Sequence, residues 1–260
     1  MSLVHTPAVV LQTFRYSETS KVVRLATRDL GIQSAIAKGA LRPRSRFGAG
    51  LELLSEGVAQ LYYREQRELH TLAAFDIVDL RQGLARDVAR FAAAAAYAEV
   101  MMRMAPPSSL PPAYDALLAA LNGVLAADPK DVDAAAARGL WSLLTALGFA
   151  PSLDTCVRDG TAVVPNGKPV AFSVAEGGVV CVDCAAAPPP PPVPHTRLPV
   201  ADYEALLALS APGRNLPALD AAHAAAHRRL VARFIRHHLG DARPLTALEF
   251  WERRAWNAAS

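Results

Sequence analysis

The sequence predicts an α+β chain in which a small β-barrel precedes a mainly helical domain carrying a cysteine-bearing insert. Three observations lead there. Short apolar, β-branched runs crowd residues 6–80. After residue 80 the apolar spacing changes to threes and fours. The chain's 3 cysteines all fall within 150–195, where the helical pattern lapses.

The barrel elements come in order. Ala8-Val9-Val10-Leu11 is an apolar run, and Lys21 to Thr27 is β-branched and partly alternating, the mark of a half-buried strand. Asp29-Leu30-Gly31 supplies a turn before a third strand, Gln33 to Ala37. Val58 to Tyr63 and Leu69 to Leu72 complete the set. About five short strands with no long helix among them suggest closure into a barrel, either of the oligonucleotide-binding type or SH3-like.

The helical elements follow. Leu84, Val88, Phe91, Ala95, Ala98 and Met102 recur at helical spacing and predict a helix over 83–104, ended by Pro106-Pro107. A second is predicted over Ala113 to Ala126 and a third over Val132 to Leu147, stopped by Gly148. The cysteine insert spans 150–187, and consecutive prolines then predict a stiff spacer over 188–194. Helices resume over Asp202 to Leu209 and Asp220 to Leu239. The implied domains are 1–80 and 81–260.

Net charge is only +3, but it is unevenly placed. Residues 1–50 hold Arg15, Lys21, Arg24, Arg28, Lys38, Arg42, Arg44 and Arg46 against Glu18 and Asp29, a local balance of +6; the remainder carries −3. That asymmetry is what a polyanion-binding surface requires. No secretory leader is expected, because Met1 to Leu11 lacks a basic region and a long apolar run. No apolar stretch is long enough to span a membrane, and an odd, low cysteine count argues against a disulfide scaffold. A cytoplasmic, nucleoid-associated location is the expectation.

The basic segment Lys38-Gly39-Ala40-Leu41-Arg42-Pro43-Arg44-Ser45-Arg46 interleaves cations with Gly and Pro. An exposed loop of this kind can follow a sugar–phosphate chain without reading its sequence; alone, it also fits a solvated loop. Of the pair Tyr62-Tyr63, alternation sends one side chain inward and one outward, and Tyr63 is the candidate for stacking on a base.

In this order, Thr6-Pro7-Ala8-Val9-Val10-Leu11, Tyr16-Ser17-Glu18-Thr19-Ser20, Thr27-Arg28-Asp29-Leu30-Gly31, Ala37-Lys38-Gly39-Ala40 and Arg44-Ser45-Arg46 resemble the N-terminal signatures of the RecO family. Leu61-Tyr62-Tyr63, Glu68 to Leu72, His238-Leu239-Gly240 and Arg243-Pro244-Leu245 continue the likeness. The resemblance implies an OB-fold barrel, a helical domain and a zinc-ribbon-like insert. It implies binding to single- and double-stranded DNA, strand annealing without catalysis, partnership with RecR and single-stranded DNA-binding protein, and indirect action on the recombinase RecA.

Cys156 and Cys181-Val182-Asp183-Cys184 are spaced as a structural zinc site, except that Asp159 stands where the first pair would have its second cysteine. A Cys156, Asp159, Cys181, Cys184 set can bind zinc or be a metal-free remnant. A redox pair of Cys181 and Cys184, or a catalytic zinc served by Glu176, has little sequence support. His223 with His227, and His237-His238, lack a third ligand and read as ordinary helix residues. Arg229, Arg233 and Arg236 form a stripe that is either solvated or, beside an apolar groove, able to receive an acidic peptide tail. The rival function is a metal-dependent nuclease or phosphodiesterase that grips DNA through the same barrel, for which Asp128, Asp131 and Asp133 are the nearest carboxylate cluster; a weaker rival is an adaptor that contacts protein only.

Overall fold

A computed structural model of the chain describes residues 2–187, 191–240 and 243–256. The expected proline spacer thus lies partly outside the described residues; 191–195 carry no helix or strand. The chain forms two compact units, Met1–Leu125 and Ala126–Ser260.

In the first unit, β1 (Ser2–Arg15), β2 (Lys21–Thr27), β3 (Gly31–Ala37), β4 (Glu56–Tyr63) and β5 (Leu69–Asp79) close a barrel in the order β1-β2-β3-β5-β4. The long β1 makes closure possible: its first half pairs with β4 and its second half with β2. All pairings are antiparallel except β3 with β5. This order is that of an OB-fold, which resolves the choice between barrel types. Alternation packs Ala8, Val10, Val23, Leu25, Ala35, Ala59, Leu61 and Leu72 inside. Gly31 has φ +74°, and a Cβ there would lie 2.5 Å from the Ser108 carbonyl oxygen, so this turn needs glycine.

The connection from β3 to β4 is irregular but organised. Successive four-residue turns run from Ala37 to Ser55. Phe47 and Leu51, 1% and 2% exposed, join the barrel core and fix the connection in place.

The helix expected over 83–104 is two: α1 (Gln82–Ala85) and α2 (Val88–Met104). Asp87 caps α2, accepting from the N–H groups of Ala89 and Arg90 at 2.9 and 3.0 Å, and so breaks the run. The buried face also differs from the expected one. Val88 and Phe91 are exposed, whereas Ala92, Ala93, Ala96, Tyr97 and Val100 are covered. The consecutive alanines from Ala92 to Ala96 let either face pack closely, so the larger side chains do not choose. α3 (Pro111–Ala126) follows. Arg81, 3% exposed, binds the Leu54 carbonyl, Glu56 and Asn122, tying the start of β4 and the end of β5 to α3.

In the second unit, α4 (Val132–Ala146) ends at Gly148, φ +90°, as expected. A small sheet of β6 (Val170–Ser173), β7 (Gly178–Val180) and β8 (Thr196–Leu198) frames the cysteine insert with α5 (Val182–Ala186). α6 (Val200–Ser210), α7 (Ala221–Leu239) and α8 (Thr246–Arg253) complete it; α8 and the sheet were not expected. Trp141 of α4 meets Phe234 of α7 edge-on, centroids 5.1 Å apart, at the centre of this core. Among the described residues no helix is long and apolar enough to cross a membrane.

Candidate nucleic-acid interface and metal centre

The cations expected to contact nucleic acid divide by setting. Arg28 forks onto Asp115 at 3.1 and 3.3 Å, and its carbonyl accepts from Ser109. Lys21, at the barrel rim, pairs with Glu52 at 3.5 Å. Arg24 is half-buried on the outer side of β2. Arg15, Lys38, Arg42, Arg44 and Arg46 are exposed. Among the described residues, Lys38, Arg42 and Arg44 make no ion pair, while the Arg46 guanidinium stands over the Phe47 ring at 5.1 Å.

The exposed group clusters at one end of the barrel. The Leu41 N–H donates to the Thr19 carbonyl at 2.9 Å, and the Gly39 N–H to Ser20 Oγ at 3.4 Å. These bonds fasten the basic segment to the β1–β2 turn, beside Arg15. Arg15, Lys38 and Arg42 thus lie at or beside that turn, Arg44 and Arg46 follow in the same connection, and the nearest acid in sequence is Glu18. The basic segment is an exposed but turn-bonded connection, a cationic ridge fastened to the barrel.

Tyr63, selected from sequence for stacking, lies against the buried His70 ring, centroids 4.7 Å apart. The outward tyrosine of the pair is Tyr62, 40% exposed. Sequence reading also passed over Phe14 and Tyr16, 47% and 61% exposed at the β1–β2 turn. Their signal was available: aromatic residues on both sides of Arg15.

In the second unit the cysteine set converges. Ligand atoms of Cys156, Asp159, Cys181 and Cys184 all lie within 4.8 Å of one another. The Cys181 and Cys184 thiols donate to Asp159 Oδ2 at 3.4 and 3.3 Å. Backbone N–H groups of Arg158 and Cys184 point at Cys156 Sγ and Cys181 Sγ, 3.5 and 3.4 Å away. Burial opposes ionisation of Cys156, yet surrounding backbone N–H donors from Cys181, Arg158 and Asp159 hold its thiol below the ordinary value. Hydrogen bonds to Asp159 and Cys181 push Cys184 up to about 12. The Thr161 N–H, followed by the thiols, holds Asp159 well below the usual carboxylate range. Three thiols and a carboxylate at one point, with N–H groups aimed at sulfur, form a donor set that fits a soft divalent metal. Arg158 does not spoil it, because its guanidinium forks onto Glu176 at 2.8 and 2.9 Å. That pair also takes Glu176 out of contention as a general base.

The other sequence candidates are accounted for by packing. Asp133 binds Arg228 at 3.0 Å and also Arg254, while Asp128 and Asp131 sit at the cap positions of a short 3-10 turn and of α4, so the run is a helix start. His223 pairs with Asp220 at 2.8 Å. His227, 2% exposed, faces Asp202 at 3.4 Å, and burial lowers its pKa. His238 meets the Val174 carbonyl at 3.1 Å. Of the arginine stripe, Arg229 is exposed, Arg233 donates to Thr196 Oγ1 at 2.8 Å, and Arg236 binds Glu252. These arginines line a groove of about 420 Å³ with Leu198, Pro199, Ala226, His227 and Leu230.

Comparison with known proteins agrees with this architecture. Residues 1–81 match the family described as "Recombination protein O N terminal", and residues 85–247 match "Recombination protein O C terminal". A protein of Anaeromyxobacter dehalogenans strain 2CP-C named "DNA repair protein RecO" is 36% identical over 260 residues, covering 96% of each chain. One of the same name from Anaeromyxobacter sp. strain Fw109-5 is 32% identical over 242 residues, 93% of each. A third, from Symbiobacterium thermophilum, is 34% identical over 186 residues, 71% of this chain and 72% of its own. With both halves matched in order and full-length relatives above 30% identity, the chain belongs to the RecO family.

Proposed function

We propose that the chain is a non-catalytic, DNA-binding recombination mediator that anneals complementary single strands. The observation that carries this is the cationic ridge, Arg15 with Lys38, Arg42, Arg44 and Arg46, fastened to the β1–β2 turn of an OB-fold. The β1–β2 loop, to which this β3–β4 segment is fastened, is one of the loops through which OB-folds bind oligonucleotides. Cations placed there neutralise phosphate charge on two strands and lower their repulsion, so base pairing proceeds with no covalent step. The barrel of residues 1–80 is the DNA-binding domain in this reading. Binding is largely independent of base sequence and extends to double-stranded DNA.

Partners follow from family membership: RecR, single-stranded DNA-binding protein, and through them the recombinase RecA. The groove along Arg229, Arg233 and Arg236 suits an acidic peptide tail ending in an aromatic residue, with Arg229 free for carboxylates and Leu198, Pro199 and Leu230 for the ring. The cysteine set holds one structural zinc through Cys156, Asp159, Cys181 and Cys184, and that ion would brace the insert.

Labelled single-stranded oligonucleotide incubated with protein and Mg²⁺ tests the reading. The expected result is a mobility shift with intact DNA, and faster pairing with a complementary strand in the absence of ATP. Cleavage that co-purifies with the protein supports the nuclease alternative, and no shift leaves only a protein-binding adaptor.

A further inference from the structure

Register around the barrel places outward-facing residues of all five strands in a continuous row, with β1 contributing one at each of its ends. Phe14 pairs with Val22, and Val22 with Ile36. Ile36 pairs with Thr71, Thr71 with Tyr62, and Tyr62 with Leu3. Their neighbours Thr13, Val23, Ala35, His70 and Leu61 point the other way by alternation, and Val23, Ala35, His70 and Leu61 are buried. No residue of the outer row is buried: Leu3 and Phe14 are 47% exposed, Tyr62 is 40% exposed, and Val22, Ile36 and Thr71 are intermediate.

The openness of this row is a local property. The outward pair Val9 and Ala26, further along β1 and β2, is 0% and 1% exposed, and α2 packs against β1. The belt at the other end, apolar but for Thr71, is left at least partly open. Beyond it, Tyr16 continues the pairing of β1 through its N–H bond to the Ser20 carbonyl at 2.9 Å, and is 61% exposed.

Charge decides what this belt suits. Its Phe14–Tyr16 end adjoins the cationic ridge, with Arg15 between the two aromatics and Leu41 hydrogen-bonded to the same turn. The turn between β4 and β5, near Tyr62, is balanced: Arg64 and Arg67 against Glu65 and Glu68. A partner with flat apolar faces on a polyanionic chain matches an aromatic surface flanked by cations on one side. That chemistry is single-stranded nucleic acid with its bases unstacked.

We propose that Phe14 and Tyr16 are base-stacking residues that receive unpaired bases while the ridge holds the phosphates. This rests on the DNA-binding reading above. Stacking carries no counterion, so its loss lowers affinity at every salt concentration without changing the salt slope. Duplex DNA, whose bases are already stacked, gains little from these rings.

The test compares Phe14→Ala, Tyr16→Ala and Tyr16→Phe with the unaltered full-length protein, using an oligo-dT probe and a duplex across a salt series. Both alanine variants should lose about five- to a hundredfold in affinity for oligo-dT. Their slope of log K against log salt should match the parent, their duplex binding should change little, and Tyr16→Phe should restore oligo-dT affinity. In a Tyr16→Trp variant, oligo-dT should quench the added fluorescence relative to the parent. Circular dichroism checks that each variant is folded. Parent protein that fails to bind oligo-dT refutes the DNA-binding reading itself. Parent protein that binds, with both alanine variants unchanged, overturns the stacking assignment alone and marks the belt as a protein-facing surface.

Discussion

Removing the ridge cations Lys38, Arg42 and Arg44 together, each to alanine, is the most direct perturbation of the proposed interface. These three are exposed and, among the described residues, free of ion pairs, so the fold loses no contact that holds it. Arg46 is left in place because its stacking over Phe47 would mix a structural effect with the electrostatic one. Each single-strand phosphate contact contributes about 0.7 to the slope of log K against log salt, so losing three flattens it by about 2. Between about 50 and about 200 mM salt, the parent should therefore lose roughly 20-fold more affinity than the triple variant. The two curves should converge as salt rises, because screening erases what the variant lacks. Fluorescence anisotropy of labelled oligo-dT over a salt series measures both quantities. A variant with the parent's affinity and slope, and an intact far-ultraviolet spectrum, would show that the ridge does not touch DNA.

Three further outcomes are expected. Protein purified without chelator should carry close to one zinc per chain by elemental analysis; Asp159→Ala should lower that content and increase proteolysis within 150–185, whereas Asp159→Cys should retain zinc better against a chelator. Arg81→Met should destabilise the first unit by about 3 kcal/mol, because it leaves Glu56 and Asn122 facing an apolar side chain; a midpoint in urea equal to the parent's would refute the clamp. His227 is held below its ordinary pKa by burial, against a smaller opposing pull from Asp202. The unfolded chain therefore binds the extra proton first, so stability should fall as pH drops below about 6.5, by at most about 1.4 kcal/mol per pH unit for this group. His227→Gln should flatten that decline, and parallel stability curves for parent and variant would sink the assignment.

The barrel was legible because its strands carry apolar, β-branched runs separated by turn residues, signals that lie within a few positions of one another. The metal cluster was legible from spacing, since Cys156, Asp159, Cys181 and Cys184 retain the offsets of a ribbon site. The break between α1 and α2 was missed although its signal, a capping Asp87, stood in the sequence; the apolar period drew the eye across it. The burial of Arg81 and His227 could not be read, because it depends on Glu56, Asn122 and Asp202, which lie 20 or more residues away in sequence. The outer row from Phe14 to Leu3 was illegible for the same reason. It exists only once five strand pairings fix a common register, and a one-residue slip in any of them would turn part of it inward.

The parallel join of β3 and β5 is the shortest seam in the barrel, matched only from Ser34–Leu69 to Ile36–Thr71. Every other junction runs seven rungs or more. A ring with one weak closure does not breathe evenly; it opens as a gate at that place, with the least free energy of local opening. Within the barrel, the amide hydrogens shared between β3 and β5 across this seam are therefore the ones that solvent should reach first. Because Ile36 and Thr71 are adjacent members of the outer row, each such opening splits the belt into two arcs.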